Sequence, residues 1–189
     1  MSNKIVTVPK ARALWLMLAT LVIAGIVFVG WGPCAPGDGL LLTEYDGDRD
    51  YKQIIELFNK EKYWLTGDPD SPVEETFTHL APRRGPQYHG QLKVKVLRKE
   101  DDLVGFVSHY MEDADTGFIL YLAIDRNYRG RRLADRLMRI AVNDLLSLGA
   151  RRIKLITRPT NVSAQAVYNR IGFRELGRDA VYVYYEYLP

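Results

Sequence analysis

The chain has 189 residues, with 26 Lys or Arg against 23 Asp or Glu and a formal charge of +3. Hydrophobic residues make up 47% and aromatic ones 11%, enough for a buried core, which excludes a disordered chain. Lys4, Lys10 and Arg12 hold the whole charge excess: from Asp38 onward basic and acidic residues number 23 each, which argues against a globally basic nucleic-acid binder, so no nucleic acid is expected as a partner. Cys34 is the single cysteine, so an intramolecular disulfide and a multi-cysteine zinc site are excluded. The scattered His79, His89 and His109 argue against a metal centre, and none is expected.

Ala13 to Trp31 are 19 consecutive uncharged positions. As a helix they reach about 28 Å, close to the thickness of bilayer hydrocarbon. Trp15 and Trp31 lie near the two ends, and Gly32, Pro33, Pro36 and Gly37 stop the run. The expectation is a transmembrane signal anchor at 13–31, after a basic flank at 1–12 and before a linker at 32–38. A cleaved signal peptide ending near Ala35-Pro36-Gly37, lipid attachment at Cys34 and a buried core helix are the alternatives. Charge asymmetry across the span puts the following domain, 39–189, on the outer side of a membrane.

In that domain Leu40 to Tyr45 reads as a strand. Arg49 to Lys62 reads as an amphipathic helix through Tyr51, Ile54, Ile55, Leu57 and Phe58. Ser71-Pro72 opens a second short helix, and Arg83-Arg84-Gly85-Pro86 is a loop. Leu92, Val94 and Val96 alternate with Lys93, Lys95 and Leu97, as in a half-buried strand. Strands follow at Leu103–Tyr110 and Phe118–Ile124, the latter apolar enough to be covered on both faces. Leu133, Leu137, Ile140, Ala141, Leu145 and Leu148 recur at helical spacing up to Gly149. Then come a strand at Ile153–Ile156, a helix from Asn161 to about Arg170, and strands at Phe173–Leu176 and Val181–Tyr187. The order β-α-α-β-β-β-α-β-α-β-β implies an α/β (α+β) domain with a mixed sheet.

The densest chemistry lies in Leu122-Ala123-Ile124-Asp125-Arg126-Asn127-Tyr128-Arg129-Gly130-Arg131-Arg132-Leu133-Ala134. A buried strand there runs through a glycine turn into a long helix. The free N–H groups and positive dipole end of a helix N-terminus bind phosphate, and arginines add donors suited to its oxygens. Six arginines fall in the fourteen residues from Arg126 to Arg139. Neither a Gly-Lys-Ser/Thr loop nor a Gly-x-Gly-x-x-Gly motif is present.

This turn resembles that of the GNAT superfamily of acyl-CoA-dependent N-acyltransferases, whose pattern is Gln/Arg-x-x-Gly-x-Gly/Ala after a strand ending apolar-x-Val/Ile-Asp. Arg129 and Ala134 fit the pattern, and Arg132 stands where the middle glycine usually lies. A second block, Asn161-Val162-Ser163-Ala164-Gln165-Ala166-Val167-Tyr168 followed by Gly172-Phe173, is similar to the family's Asn-x-x-Ala-x-x-x-Tyr and Gly-Phe. The resemblance implies a GNAT-like, mostly antiparallel sheet flanked by helices, preceded here by the expected membrane helix.

It also implies acetyl-CoA as co-substrate and an amine acceptor, small molecule or protein. Leu122, Ala123 and Ile124 are then expected to present main-chain groups to the pantetheine arm. Main-chain N–H groups of Arg129, Gly130, Arg131, Arg132, Leu133 and Ala134 are expected to hold the pyrophosphate. Asn161 is expected near the pantetheine end and Tyr168 as general acid. No Glu or Asp lies on Phe118–Ile124, so no base is assigned; Glu112, Asp113, Asp115 and His109 are the nearby titratable groups. Tyr63-Trp64-Leu65 and Tyr182, Tyr184, Tyr185 and Tyr187 are candidate wall residues. Acetyl-CoA places the domain of a single-pass membrane protein in the cytoplasm, against the flanking charges. The alternative is a catalytically inactive acyl-CoA-binding or membrane-associated module on the same fold.

Overall fold

The computed structural model describes residues 39–66, 71, 73–81 and 89–189. Its elements follow the expected order: β1 (Leu40–Glu44), α1 (Gly47–Leu65), α2 (Val73–His79), β2 (His89–Lys99), β3 (Asp102–Met111), β4 (Thr116–Ile124), α3 (Leu133–Ser147), β5 (Arg152–Thr157), α4 (Val162–Ile171), β6 (Arg174–Arg178) and β7 (Val183–Tyr187). A short 3-10 turn at Arg126–Tyr128 joins β4 to α3. The seven strands form one sheet in the order β1-β2-β3-β4-β5-β7-β6. Every neighbouring pair is antiparallel except β4 and β5.

Each face of the sheet has its own core. Ile54, Leu57 and Phe58 of α1 and Val73 and Phe77 of α2 pack on Val94, Val96, Phe106 and Tyr121. Leu137, Met138, Ala141 and Leu145 of α3 and Val167, Tyr168 and Ile171 of α4 pack on Val107, Ile119, Ile153, Leu155 and Tyr185. Asp46 caps α1, its Oδ1 accepting from the N–H groups of Asp48 and Arg49. One turn on, fully buried Asp50 accepts from Arg98 Nη1 of β2 at 2.5 Å and from Arg49 Nε at 2.8 Å, tying α1 to the sheet.

Lys95 departs from the alternation read for β2. It is buried, because α3 covers the face it points to; its ammonium meets Asp144 at 3.0 Å and Glu44. A charge there is held by two carboxylates rather than by water.

The register of β4 changes at one point. His109 pairs with Ile119 but Ser108 pairs with Tyr121, so Leu120 is an extra residue, a β-bulge. The inserted residue turns Ile119 toward α3 and Tyr121 toward α1. Bulges bend a strand and end pairing. Here β4 pairs with β5 only from Thr116 to Phe118, opposite Arg152 to Lys154. Beyond the bulge the two strands part.

The expectation of a single-pass membrane protein, with its domain on the cytoplasmic or outer side, is corrected. Among the described residues no helix is long and apolar enough to cross a membrane. The 19-residue α1 has the length but carries Asp48, Arg49, Asp50, Lys52, Glu56, Lys60, Glu61 and Lys62, charges that hydrocarbon does not solvate. The flank 1–12, the span 13–31, Cys34 and the linker 32–38 lie outside the described residues. So do Pro72 and the loop Arg83–Pro86.

Candidate active site

The parting of β4 and β5 opens a cleft of about 840 Å3. Leu120, Leu122, Ala123 and Ile124 of β4 line one side, Ile156 and Thr157 of β5 the other. The turn before α3, the start of α4 and the end of α1 complete its walls.

The turn is built to leave donors open. The N–H of Arg129 bonds Arg126 O at 3.3 Å, so that group is used internally. Among the described residues nothing accepts from the N–H groups of Gly130, Arg131, Arg132, Leu133 or Ala134. Five adjacent unsatisfied donors at a helix N-terminus are a site for an anion. No side chain caps α3 to compete for them. Gly130 has φ +80°, and a Cβ there would meet nothing within 4 Å. Arg132, the departure from the family pattern, takes φ 58° and ψ 23°, the left-handed shape glycine would adopt. The backbone path is thereby kept, at a cost of about 1–2 kcal/mol for a side chain in that region.

The arginines divide their work. Arg126 and Arg132 line the cleft. Arg131 turns away and stacks over the Tyr128 ring, 5.5 Å from its centroid. Arg129 donates from Nε to Ile124 O at 3.0 Å, and its Nη2 lies 2.6 Å from Glu61 Oε1. The charge expected of Arg129 is therefore met by Glu61.

Asn161 caps α4, its Oδ1 accepting from Ala164 N at 3.3 Å. Its amide nitrogen keeps no partner among the described residues and belongs to the cleft lining, so capping and ligand contact are compatible. Tyr168, about two helical turns further along, also lines the cleft while its ring packs on Tyr185 at 5.5 Å and Phe173 at 6.2 Å. Burial pushes its phenol up to about 12, against a hydrogen bond with Thr157 that pulls it down. The hydroxyl thus stays protonated beside Thr157, which also lines the cleft.

Other expected residues go elsewhere. Glu112, Asp113 and Asp115 sit at the start of β4, about 25 Å from the cleft end of that strand. Asp113 Oδ1 accepts from Asp115 N and Thr116 N, closing the turn. His109 is fully buried toward α3, its Nε2 3.5 Å from Asp144, and does not line the cleft. Trp64 and Leu65 line it, whereas none of Tyr182, Tyr184, Tyr185 and Tyr187 does. Tyr184 donates instead to Asp179 Oδ2 at 2.7 Å.

Two acids line the cleft, Glu61 and Asp135. Asp135 is taken by Arg170 at 2.9 and 3.0 Å, hydrogen bonds that hold its carboxyl below the usual range. Glu61 did not emerge from the motif reading. Its signal is its place on the apolar stripe of α1, in register with Ile54, Phe58 and Leu65, where a carboxylate needs a reason.

An anion cradle at a strand–turn–helix, an open strand edge and a buried phenol thus line one cleft. The chain belongs to the acetyltransferase (GNAT) family, which it matches over residues 51–173. It is 28% identical over 134 residues to a mycothiol acetyltransferase from Corynebacterium glutamicum (strain R), a match covering 68% of this chain and 46% of that protein. The chain thus spans about half the length of that relative. In fold it is similar to an acetyltransferase from Streptococcus agalactiae, with a TM-score of 0.67, 16% identity and coverage of 81% of this chain and 100% of that one. A PaiA N-acetyltransferase from Thermoplasma acidophilum in complex with coenzyme A superposes with a TM-score of 0.63 at 14% identity, over 79% of this chain and 99% of that one. Among the described residues no group of His, Cys, Asp and Glu could hold a metal ion.

Proposed function

We propose that the chain transfers the acetyl group of acetyl-CoA to a primary amine by direct attack in a ternary complex. The observation that carries this reading is the alignment of open donors at Gly130–Ala134 with the neutral phenol of Tyr168 along one cleft. Acetyl-CoA supplies the thioester. The N–H row and Arg132 bind the pyrophosphate. The free edge of β4 at Leu122, Ala123 and Ile124 orients the pantetheine arm, and Asn161 donates its amide near that arm's end.

As the amine nitrogen forms its bond to the carbonyl carbon, the carbon–sulfur bond breaks and Tyr168 holds a proton toward the departing sulfur. The net reaction moves one proton from amine to sulfur, so it consumes no other reactant. The likeness to a mycothiol acetyltransferase names no acceptor for this chain, since about half of that protein has no counterpart here. A purely binding role on the same fold rests on Arg132 in place of glycine and on the missing carboxylate of the central strand. The glycine-like backbone of Arg132 answers the first ground, because the cradle keeps its path, and the second stands.

The test is turnover: the full chain with acetyl-CoA and a panel of primary amines, product identified by mass spectrometry. Amine-dependent acetylation supports the reading. Tight acetyl-CoA binding with no product from any amine supports the binding module instead.

A further inference from the structure

We infer that Arg158 is a positioning residue for the acceptor: it fixes the last turn of α1 as one wall of the cleft and so sets which amines reach the thioester. The inference rests on the N-acetyltransferase reading above. Arg158 directly follows β5 and reaches back 95 residues to the end of α1. Its Nε donates to Tyr63 O at 2.6 Å and its Nη2 to Thr66 O at 3.2 Å. Its guanidinium carbon lies 4.3 Å from the centroid of the Tyr63 ring. The last carbonyls of a helix lack donors within the helix and form the negative end of its dipole. A cation with two parallel donors answers both needs.

The same turn is held a second time. Arg129, after β4, meets Glu61 at 2.6 Å. Two arginines, one after each of the strands that part, therefore grip one turn of α1 at the mouth of the gap. Between the two carbonyls that Arg158 holds stand Trp64 and Leu65, which line the cleft, as does Ile156. Trp64 is 41% exposed, so core packing alone does not fix it; its backbone does.

The loop that carries Arg158 is secured by its main chain. Arg158 O accepts from Asn161 N at 3.0 Å and from Gln165 Nε2 at 3.2 Å, and Pro159 O accepts from the same amide at 2.8 Å. Truncating the Arg158 side chain thus loosens α1 and leaves the loop in place. Lysine is no substitute, since its point charge cannot reach two carbonyls and stack on a ring at once.

The experiment uses the full chain as wild type, Arg158→Ala and Arg158→Lys. Hydrogen exchange is read at Tyr63–Thr66 without ligand, with β3 amides as control for global folding. Calorimetry gives the acetyl-CoA Kd, and steady-state kinetics give KM and kcat for tyramine, lysine and a short peptide with a free α-amino group. Both variants are expected to exchange about 10-fold faster at Tyr63–Thr66 with β3 unchanged. The acetyl-CoA Kd stays within about 2-fold, acceptor KM rises about 5- to 20-fold with kcat within about 3-fold, and the preference among the three amines narrows. Unchanged acceptor KM, an acetyl-CoA Kd that weakens as much as KM, or a lysine variant equal to wild type overturns the inference. If wild type acetylates none of the amines, the acetyltransferase reading falls and this inference with it. If wild type acetylates them and the alanine variant does so with unaltered KM and preference, this inference alone falls.

Discussion

Replacing Tyr168 by Phe removes one hydroxyl and keeps the ring that packs on Tyr185 and Phe173. The phenol is pushed up to about 12 by burial. An ordinary thiol lies near 8.5, so complete proton transfer to the departing sulfur is uphill by about 3.5 pKa units, roughly 5 kcal/mol. The hydroxyl therefore acts mainly as a hydrogen-bond donor to sulfur as charge develops, with the proton shared rather than delivered early. Its loss should fall at the lower end of acid–base effects, about 10²-fold in kcat. Acetyl-CoA affinity should hold within about 2-fold, because the N–H row is carried by another element, the turn before α3. Leaving the Thr157 hydroxyl without its partner costs about 1 kcal/mol, a fall of roughly 2–4 °C in Tm. Single-turnover acetyl transfer, calorimetry and thermal melts read the three quantities. An unchanged chemical step, or a Kd that weakens as much as the rate falls, refutes the assignment and leaves Tyr168 as a packing residue.

Arg132→Gly relieves the left-handed strain and should raise Tm by about 2–4 °C. It should also weaken acetyl-CoA binding several-fold in calorimetry; tighter binding would contradict a phosphate contact by Arg132. Asp50→Asn leaves the buried Arg98 guanidinium without its counter-charge, and urea unfolding should show a loss of about 3–5 kcal/mol. Burial pushes the Asp50 carboxyl up, but the hydrogen bonds from Arg49 and the Asp46 amide, with the charges of Arg49 and Arg98, outweigh it and hold the group low. Its folded value lies below its unfolded one, so this stability is present above about pH 4 and is lost as pH falls through the folded value. Tyr168 acts in the opposite direction: the unfolded phenol ionises near 10 and the folded one near 12, so unfolding midpoints should fall as pH rises between those values in wild type and less so in Tyr168→Phe. Gly105→Ala places a Cβ 2.5 Å from Ala123 O and 2.6 Å from Ile124 Cδ1, which pushes the free end of β4. It should cost about 1–3 kcal/mol and weaken acetyl-CoA binding together, read by melts and calorimetry.

The order of elements was legible because each periodicity is local. The spacing of Leu133, Leu137, Ala141 and Leu145 needs only α3 itself to be recognised. The glycine turn at Arg129–Ala134 was legible for the same reason. The bulge at Leu120 was not, since an apolar strand shows no break in pattern where one residue is inserted. It is the bulge that parts β4 from β5 and makes the cleft. The burial of Lys95 was hidden because Asp144, 49 positions away, supplies the countercharge. Glu61 and Arg158 depend on contacts spanning 68 and 95 positions, which no window of sequence contains. The handedness of Arg132 was also out of reach: a side chain where the pattern has glycine does not reveal that the backbone keeps φ 58°. The apolar run at 13–31 gave a clear membrane signal, and no described helix carries that expectation forward.

The central claim is that the gap between β4 and β5, with the turn before α3, is where acetyl-CoA binds. Backbone amide resonances of the full chain, followed during titration with acetyl-CoA, test it most directly. Saturable shifts concentrated at Gly130–Ala134, Leu122–Ile124 and Asn161 are the predicted result. Saturable shifts confined to other surfaces, or none at millimolar acetyl-CoA, would contradict the account.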